Sequence, residues 1–195
     1  MINLIIESDY SLFILINSLH TTILDSIMVI FTKALPWIPL YIAILGTLLY
    51  KFGYREQNWK KALFATVALL LTFAITDIGS SQIKKGFEIL RPSHDLRLEG
   101  IVRLLDGKGG LYGFISSHAA NVFGLATLTS LFFRKRWYSI SIFTWATIVS
   151  YSRIYVGRHF PSDVVCGALF GVAVALAVYK LNNFLIAAQR DVLHN

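Results

Sequence analysis

The segment SRIYVGRHFPSD, residues 152–163, links two apolar stretches and carries four side chains suited to chemistry: Ser152, Arg153, His159 and Asp163. An Arg or Asp in the middle of a bilayer costs about 2.5–3.5 kcal/mol, so such residues usually line a polar cavity or take part in a reaction. Arg153 can bind an anion, and His159 can act as a base or nucleophile. Asp163 follows His159 by four residues, so one helical turn can bring its carboxylate to the imidazole and fix the tautomer. A purely structural His–Asp pair is the alternative.

The rest of the chain has the composition of an integral membrane protein. Of its 195 residues, 55% are hydrophobic and 15% charged, and the mean hydropathy is +0.61, which is more apolar than an ordinary soluble domain. Six apolar stretches approach the length with which a helix crosses about 30 Å of hydrocarbon. They are residues 22–35, 37–50, 62–79, 117–133, 137–152 and 163–179. We predict an all-α, polytopic membrane helical bundle with five or six transmembrane helices.

The N-terminal segment, residues 1–35, does not have the pattern of a simple membrane span. Glu7 and Asp9 interrupt its first apolar run, which is too short to cross a bilayer and favours an N-terminal interfacial helix. The second run of this segment either spans the membrane or re-enters it. We expect one integral membrane domain over residues 1–195, with its catalytic core in residues 60–180.

The net charge of +7 is distributed in a way that indicates membrane topology and not nucleic-acid binding. The basic residues form short groups at helix ends instead of one continuous stripe. Two such groups, in residues 51–61 and 134–136, place their loops in the cytoplasm by the positive-inside rule. The parity of the crossings then puts residues 83–116 and 153–162 on the opposite face, where all the polar clusters meet.

A second polar cluster consists of Lys84 and, seven residues later, Arg91 and Pro92. Seven residues make two helical turns, so the two cations share one face if the helix reaches Arg91. Pro92 disfavours helical structure at the residue before it and ends the element there. We expect both cations to point to one spot at the membrane surface, and the alternative is that they are interfacial anchors.

A third polar cluster, FISSH at residues 114–118, immediately precedes an apolar run. Serine is a favoured N-cap, and a helix N-terminus presents free backbone N–H groups and a partial positive charge. Ser116 and Ser117 therefore predict an anion site with His118 beside it. An ordinary serine cap next to a partly buried histidine is the alternative.

Together the three clusters resemble, in order and internal spacing, the signature of the type 2 phosphatidic acid phosphatase superfamily, which includes bacterial membrane lipid phosphatases. Residues 84–92 resemble its first motif, K-x6-R-P, and residues 152–163 its third, S-R-x5-H-x3-D. The second motif departs from the usual Pro-Ser-Gly-His, because Ile115 replaces the proline and Ser117 replaces the glycine. The resemblance covers about residues 60–180.

This resemblance implies a metal-independent hydrolase of lipid phosphates or diphosphates that works through a phosphohistidine intermediate. His159, held by Asp163, is expected to attack phosphorus, and His118 is expected to protonate the leaving oxygen. Five residues are expected to bind the phosphate oxygens: Lys84, Arg91, Ser116, Ser117 and Arg153. The scheme requires no cofactor and no metal ion.

The predicted location is a bacterial inner (cytoplasmic) membrane, with the site on the periplasmic or outer face and open sideways to lipid. The expected partners are the bilayer and a lipid phosphate, and undecaprenyl diphosphate, lipid A and phosphatidylglycerol phosphate all fit. No nucleic-acid partner is expected, and the sequence leaves the oligomeric state open. Arg97, Arg103 and Lys108 in the outer loop would favour a diphosphate or a crowded anionic headgroup.

The residues leave some alternatives to a lipid phosphatase open. A zinc or magnesium hydrolase is disfavoured because the chain has no His-Glu-x-x-His and no carboxylate cluster, and because the many cations oppose a metal ion. An anion-binding transporter would bind phosphate esters without releasing inorganic phosphate. A phosphotransferase would pass the phosphoryl group to a second lipid. The charges gather at one face instead of lining several helices, which favours an enzyme over a transporter.

Overall fold

The computed structural model describes residues 2–194, and its architecture is helical. The helices are α1 (Ile2–Ser18), α2 (Thr22–Thr32), α3 (Ile38–Leu48), α4 (Trp59–Phe87), α5 (Ser117–Phe133), α6 (Arg136–Tyr155) and α7 (Pro161–His194). A π-helical turn, Leu49–Arg55, continues α3, and two short 3-10 turns lie in the loop between α4 and α5. The predicted all-α class is confirmed.

Three helical segments are each long and apolar enough to cross a membrane: Leu35–Arg55, Trp59–Phe87 and Pro161–Ala188. Ile6–Ser18 and Thr22–Thr32 pass the same test together, but they are bent by 116° at their junction, as in a broken span or a re-entrant loop. The described chain therefore has three such spans, or four with the bent pair. The predicted total of five or six crossings is not confirmed, and the interfacial position of α1 stays a prediction.

Helix α5 lies in the centre of the bundle and packs against α4, α6 and α7. Its contact with α7 is unusually close. A Cβ atom built on Gly167 would overlap the carbonyl oxygen of Ser116, and one built on Gly171 would overlap that of Ala120. The two helix backbones can therefore touch only because glycine occupies these positions, and this contact fixes the start of α5 against the start of α7.

Helix α4 ends earlier than the proline at position 92 requires. Phe87 is its last residue, because Glu88 adopts a left-handed conformation with φ of 50° and donates its backbone N–H to the carbonyl of Lys84. Arg91 therefore lies outside the helix, and the condition under which Lys84 and Arg91 would share one helical face is not met. The chain continues in an extended form, and the backbone N–H of Arg91 donates to Leu111 at 3.0 Å.

Helices α1 and α2 pack around the ends of α6 and α7 that lie near the polar clusters. Asp9 of α1 accepts hydrogen bonds from the backbone N–H of Ser162 at 2.8 Å and from its hydroxyl at 2.6 Å. The Asn17 amide donates to the carbonyls of Arg103 at 3.0 Å and Tyr155 at 2.8 Å. The N-terminal helix is thus tied to α6, α7 and the long loop at once.

The two basic groups predicted to face the cytoplasm meet at one end of the bundle. Lys51 of the π-helical turn donates to the carbonyl of Phe132, at the end of α5. Since α4 and α6 begin at this end and α5 finishes here, the polar clusters at residues 84–92, 114–118 and 152–163 lie at the opposite end.

Candidate active site

His159 and Asp163 form a buried hydrogen-bonded pair at the start of α7. Nδ1 of His159 lies 3.1 Å from Oδ2 of Asp163, and the same oxygen accepts the backbone N–H of Phe160 at 3.1 Å. The two side chains are only 2% and 1% exposed. Gly157, with φ of 82°, makes the turn between α6 and this pair. The carboxylate therefore holds Nδ1, and Nε2 is the ring nitrogen left for a substrate.

His159 lines a polar pocket of about 540 Å³ at the end of the bundle opposite to the two basic groups, beside α4, α5 and α6. The pocket wall contains two carboxylates, Asp77 and Asp106. Its cationic residues are Lys33, Lys84, Arg91, Arg153 and Arg158. This excess of positive charge suits a dianionic group such as a phosphate monoester.

Ser117, which stands where the family motif has glycine, connects the ends of α4 and α5. Its hydroxyl accepts hydrogen bonds from the Ser80 hydroxyl at 2.7 Å and from the Lys84 ammonium group. Ser117 also lines the polar pocket. The serine therefore holds Lys84 in place at the pocket wall, a contact that glycine could not provide.

Arg91 reaches the pocket from the extended segment after α4. Its Nε–H donates to the carbonyl of Tyr112 at 3.0 Å, and one terminal nitrogen lies 3.5 Å from Nε2 of His159. Burial and the neighbouring Arg158 lower the pKa of Arg91, and Asp163 partly offsets this effect. Arg91 is thus a cation placed directly beside the free nitrogen of the imidazole.

The imidazole of His159 is kept neutral by its surroundings. Complete burial, followed by the charges of Arg91 and Arg153, holds its pKa well below the ordinary value of 6.5. A neutral imidazole has a free lone pair on one ring nitrogen. Because Asp163 accepts the proton on Nδ1, that lone pair lies on Nε2, facing the pocket.

Arg153, near the end of α6, is buried with few partners. It is 4% exposed, it donates to the hydroxyl and the carbonyl of Thr32 at the end of α2, and it lies 3.7 Å from Oδ2 of Asp106. Arg158 donates to the same carboxylate oxygen at 3.1 Å. Among the residues that the structure describes, the buried Nε atoms of Arg153 and Arg158 have no hydrogen-bond partner. Both arginines line the polar pocket, and within the part of the chain that the structure describes both keep one buried N–H group without a partner.

One part of the second motif lines the pocket, and another part lies behind the pocket wall. His118 lines the pocket. Ser116 is completely buried, caps α5 by accepting the N–H of Ala119 at 3.4 Å, and donates its own backbone N–H to the carbonyl of Asp163 at 2.9 Å. The structure thus places Ser116 behind the pocket wall, where it joins α5 to α7, and not at the predicted position among the phosphate contacts.

Sequence reasoning did not assign a role to Asp106, Asn121 or Arg158, although all three line the pocket. Asn121 donates to Asp77 at 3.3 Å and accepts the hydroxyl of Thr76 at 2.7 Å. Asn121 follows His118 by three residues, so the helical period of α5 was a signal that could have found it. Asp106 lies in the irregular loop, where no period applies.

The cations of the long loop between α4 and α5 that were expected to favour a diphosphate lie outside the polar pocket. Arg103 pairs with Asp25 of α2, with one contact of 2.7 Å, and Arg97 pairs with Asp95 at 3.0 Å. Lys108 lines a separate cavity formed by the loop itself. None of the three belongs to the polar pocket within the described chain, so the hypothesis that they select a diphosphate has no structural support.

An apolar cavity of about 400 Å³ adjoins the polar pocket. The two share part of their walls, including Thr32, His118 and Asn121. The apolar cavity extends between α3, α4 and α5, and two of its side chains, Leu70 and Phe73, are also exposed on the outer surface of α4. A ligand with a charged head and a hydrocarbon tail would match the two spaces together.

Metal ligands are not gathered at this site. In the described range 2–194, no group of three or more His, Cys, Asp or Glu residues is arranged to hold a metal ion.

Comparison with known proteins identifies the family. Residues 65–187 match the family model described as the PAP2 superfamily. A lipid A 4'-phosphatase from Bacteroides thetaiotaomicron is 40% identical over 88% of this chain and 75% of its own length. A lipid A 4'-phosphatase from Porphyromonas gingivalis is 37% identical over 95% of this chain and 77% of its own length.

Two solved structures have a fold similar to that of this chain. The fold resembles the crystal structure of LpxE from Aquifex aeolicus, with a TM-score of 0.68, 27% identity and coverage of 88% of this chain and 94% of that one. It also resembles a PAP2-type phosphatidylglycerolphosphate phosphatase from Bacillus subtilis, with a TM-score of 0.73, 21% identity and coverage of 93% and 87%, a likeness that concerns the fold alone. The chain therefore belongs to the PAP2 superfamily and is a membrane lipid phosphatase of that type.

Proposed function

We propose that this chain hydrolyses a phosphate monoester of lipid A at the outer face of a bacterial inner membrane, with His159 as the nucleophile. The two relatives described above, each covered over most of its length, are named lipid A 4'-phosphatases. A single phosphate also suits the polar pocket, because the loop cations that would accompany a second phosphate point elsewhere.

One observation carries the proposal: Nε2 of a buried imidazole, held by a carboxylate at Nδ1, faces a pocket lined by five cations. In the first step Nε2 attacks phosphorus in line, a P–N bond forms, and the P–O bond to the lipid breaks. The leaving oxygen takes a proton from His118. Water then attacks the phosphohistidine, which releases inorganic phosphate and regenerates the free imidazole. Asp163 stabilises the positive charge that develops on the ring.

The cations supply most of the transition-state stabilisation in this scheme. Lys84, Arg91 and Arg153 bind the phosphate oxygens together with the backbone N–H of Ser117. Charge-assisted hydrogen bonds contribute about 1.5–3 kcal/mol each, so several are needed for so slow a reaction. Burial and the neighbouring cations lower the pKa of His118 in the free enzyme, and a bound dianion opposes this effect, so we assign the protonated form of His118 to the complex with substrate. We assign Ser116 a positioning role.

The apolar cavity is proposed to accept an acyl chain of the substrate. Its shared wall with the polar pocket would let a lipid enter sideways from the bilayer, with phosphate at His159 and hydrocarbon between α3 and α4. The two basic loops lie at the far end of the bundle, so the positive-inside rule favours an outward-facing site.

The test is phosphate release by the purified protein in detergent from lipid A, undecaprenyl diphosphate and phosphatidylglycerol phosphate, each with EDTA present. We expect lipid A to be cleaved fastest, with mass spectrometry showing loss of one phosphate, and His159→Ala to be inactive. Faster cleavage of either other lipid would refute the substrate assignment. Transfer of the phosphate to a second lipid, without free phosphate, would show a transferase.

A further inference from the structure

Two adjoining cavities lie at the end of the bundle opposite to the polar pocket. The first, here called the basal pocket, is a polar cavity of about 300 Å³ between the π-helical turn, α4, α5 and α7, and Lys51, Lys61 and Arg134 line it. The second, here called the basal groove, is an apolar space of about 1040 Å³ between α3 and α6. Neither contains any residue assigned to phosphate hydrolysis.

The two cavities form one continuous site with a charged end and an apolar end. Lys51, Glu56 and Arg134 belong to the walls of both. The basal groove then follows α3 away from this basic end as far as Trp37 and Trp145. An occupant that fills both spaces must therefore be amphiphilic, with its polar group among the cations and its hydrocarbon along the groove.

The basal pocket carries uncompensated positive charge. Glu56 pairs with Lys61 at 2.6 Å, which neutralises one cation. The other two donate to neutral oxygens, since Lys51 contacts the carbonyl of Phe132 and Arg134 contacts the hydroxyl of Tyr179 at 2.9 Å. Two positive charges thus remain at the junction of the pocket and the groove, where an anionic headgroup is favoured.

The basal pocket also contains an acceptor without a donor. Asn182 of α7 lines the pocket and is 5% exposed, and within the described part of the chain its Oδ1 has no hydrogen-bond partner. A buried polar atom normally finds a partner, because leaving one unpaired costs free energy. A headgroup that carries a hydroxyl group would supply the missing donor.

We propose that the basal pocket and basal groove bind an anionic phospholipid with a hydroxyl-bearing headgroup, such as phosphatidylglycerol, from the leaflet opposite to the substrate. Its phosphate diester lies between Lys51 and Arg134, its headgroup hydroxyl donates to Asn182, and one acyl chain follows the aromatic wall of the basal groove.

Tryptophan fluorescence gives a direct test, because Trp137 and Trp145 line the basal groove and not the apolar cavity beside the active site. Trp37 lines both spaces, so the protein used carries Trp37→Phe. The purified full chain in neutral detergent is titrated with phosphatidylglycerol or phosphatidylcholine that carries bromine on its acyl chains, which quenches nearby indole rings. We expect phosphatidylglycerol to quench the fluorescence saturably, with a half-saturating concentration at least about fivefold lower than that of phosphatidylcholine. A factor of this size corresponds to one cation–anion contact at a membrane surface.

Three variants and one control locate the binding. Lys51→Gln and Arg134→Gln should each weaken binding of brominated phosphatidylglycerol about fivefold. Asn182→Leu should reduce the preference for phosphatidylglycerol over phosphatidylethanol, an anionic phosphate diester whose headgroup lacks a hydroxyl group. Lys60→Gln removes an exposed cation from the same loop outside both cavities and should change nothing. The unfolding temperature in detergent reports whether each variant is folded.

Equal quenching by the two lipids would overturn the proposal, and so would equal weakening by Lys60→Gln. A second copy of the chain is the competing occupant of the basal groove. A stable dimer in light scattering, with no quenching by either lipid, would assign the groove to that contact instead.

Discussion

The imidazole of His159 is buried among more positive than negative charge, and burial has the larger of the two effects on its pKa. Arg91 and Arg153 act together with complete burial to hold its pKa well below 6.5. Since the neutral ring is the nucleophile in the proposed reaction, activity is retained on the acid side until pH falls through this lowered pKa. The cations that bind phosphate therefore also keep the nucleophile available.

Arg91→Gln should move the acid limb of activity to higher pH. Removing the cation beside Nε2 raises the pKa of His159 towards its ordinary value, so the neutral form is lost at a higher pH than in the wild type. The measurement is the pH profile of kcat/KM, which reports the free enzyme. An acid limb at the wild-type position, with only a uniform loss of rate, would show that Arg91 does not control this protonation.

Asp163→Asn should lower kcat by at least about 100-fold while leaving the fold intact, because an amide N–H facing Nδ1 would place the ring proton on Nε2. Trapping with labelled substrate should show almost no phosphoenzyme. Asp77→Asn is the matched control, since Asp77 lines the same pocket but contacts Asn121 and not an imidazole. Equal losses in the two variants would exclude a specific role for Asp163 in setting the tautomer.

At the residue scale, motif spacing predicted most of the side chains that the structure brings together. The i to i+4 separation of His159 and Asp163 is a local property of one helical turn, so the sequence was sufficient for that pair. Asp106 is different, because its place beside Arg158 depends on the path of an irregular loop. Ser116 carried the correct cap signal, but spacing does not say which side of a helix start faces the pocket.

At the element scale, the contact between α5 and α7 positions the second motif against the third. Gly167 and Gly171 let the two backbones touch, and the N–H of Ser116 donates across this contact to the carbonyl of Asp163. A shift of either helix would therefore move His118 relative to His159, so the packing of these helices and the geometry of the site are coupled.

Gly171→Ala should lower the free energy of unfolding by about 1–3 kcal/mol, because the new methyl group forces the helices apart. Thermal or detergent-induced unfolding is the measurement, and phosphate release should fall with it. Gly46→Ala is the control, since a Cβ there meets no atom within 4 Å and alanine is the better helix former. Destabilisation by both variants alike would mean that close packing is not the cause.

Asp9→Ala should destabilise the first turn of α7 by about 0.5–2 kcal/mol, as loss of an N-terminal cap does. Asp9 accepts both hydrogen bonds from Ser162, next to Asp163, so kcat should also decrease. Unfolding curves and initial rates are compared with those of Glu7→Ala, which alters an exposed carboxylate of the same helix. Identical behaviour of the two variants would remove the role given to α1.

The apolar runs predicted where helices occur, but less well where they end. The prediction of 163–179 for the last helix is short of α7, which reaches His194, because a helix that leaves the hydrocarbon continues with polar residues that are equally compatible with its backbone. Helix α4 stops at Phe87 because of one left-handed residue, Glu88, and a glutamate carries no strong signal for that conformation.

At the scale of the whole molecule, the proposed function divides substrate recognition between the polar pocket and the apolar cavity. The first recognises the phosphate group through fixed charges, and the second accepts hydrocarbon with little directional contact. Affinity for the tail should then depend on chain length, whereas the rate of the chemical step should depend on the polar pocket alone.

Leu125→Trp should raise KM for a long-chain lipid phosphate about tenfold, because the larger side chain fills part of the apolar cavity that Leu125 lines. Exclusion of about two methylene groups, worth about 0.8 kcal/mol each, accounts for this factor. For a short-chain, water-soluble analogue, KM should be nearly unchanged. Rates for both substrates over a range of concentrations provide the measurement. Parallel increases in KM would indicate a general distortion of the site instead.

The hydrogen bonds between Asp9 and Ser162 join positions that the ribosome produces far apart in time. Helix α1 is synthesised long before its partner on α7. His159 and Asp163 follow with that partner, so a nascent chain has the cations proposed to bind phosphate, on α4 and its following loop, before it has the proposed nucleophile. Lipid cleavage therefore begins only when the last helix has inserted, and the onset of activity should follow insertion of α7 and not that of the earlier helices.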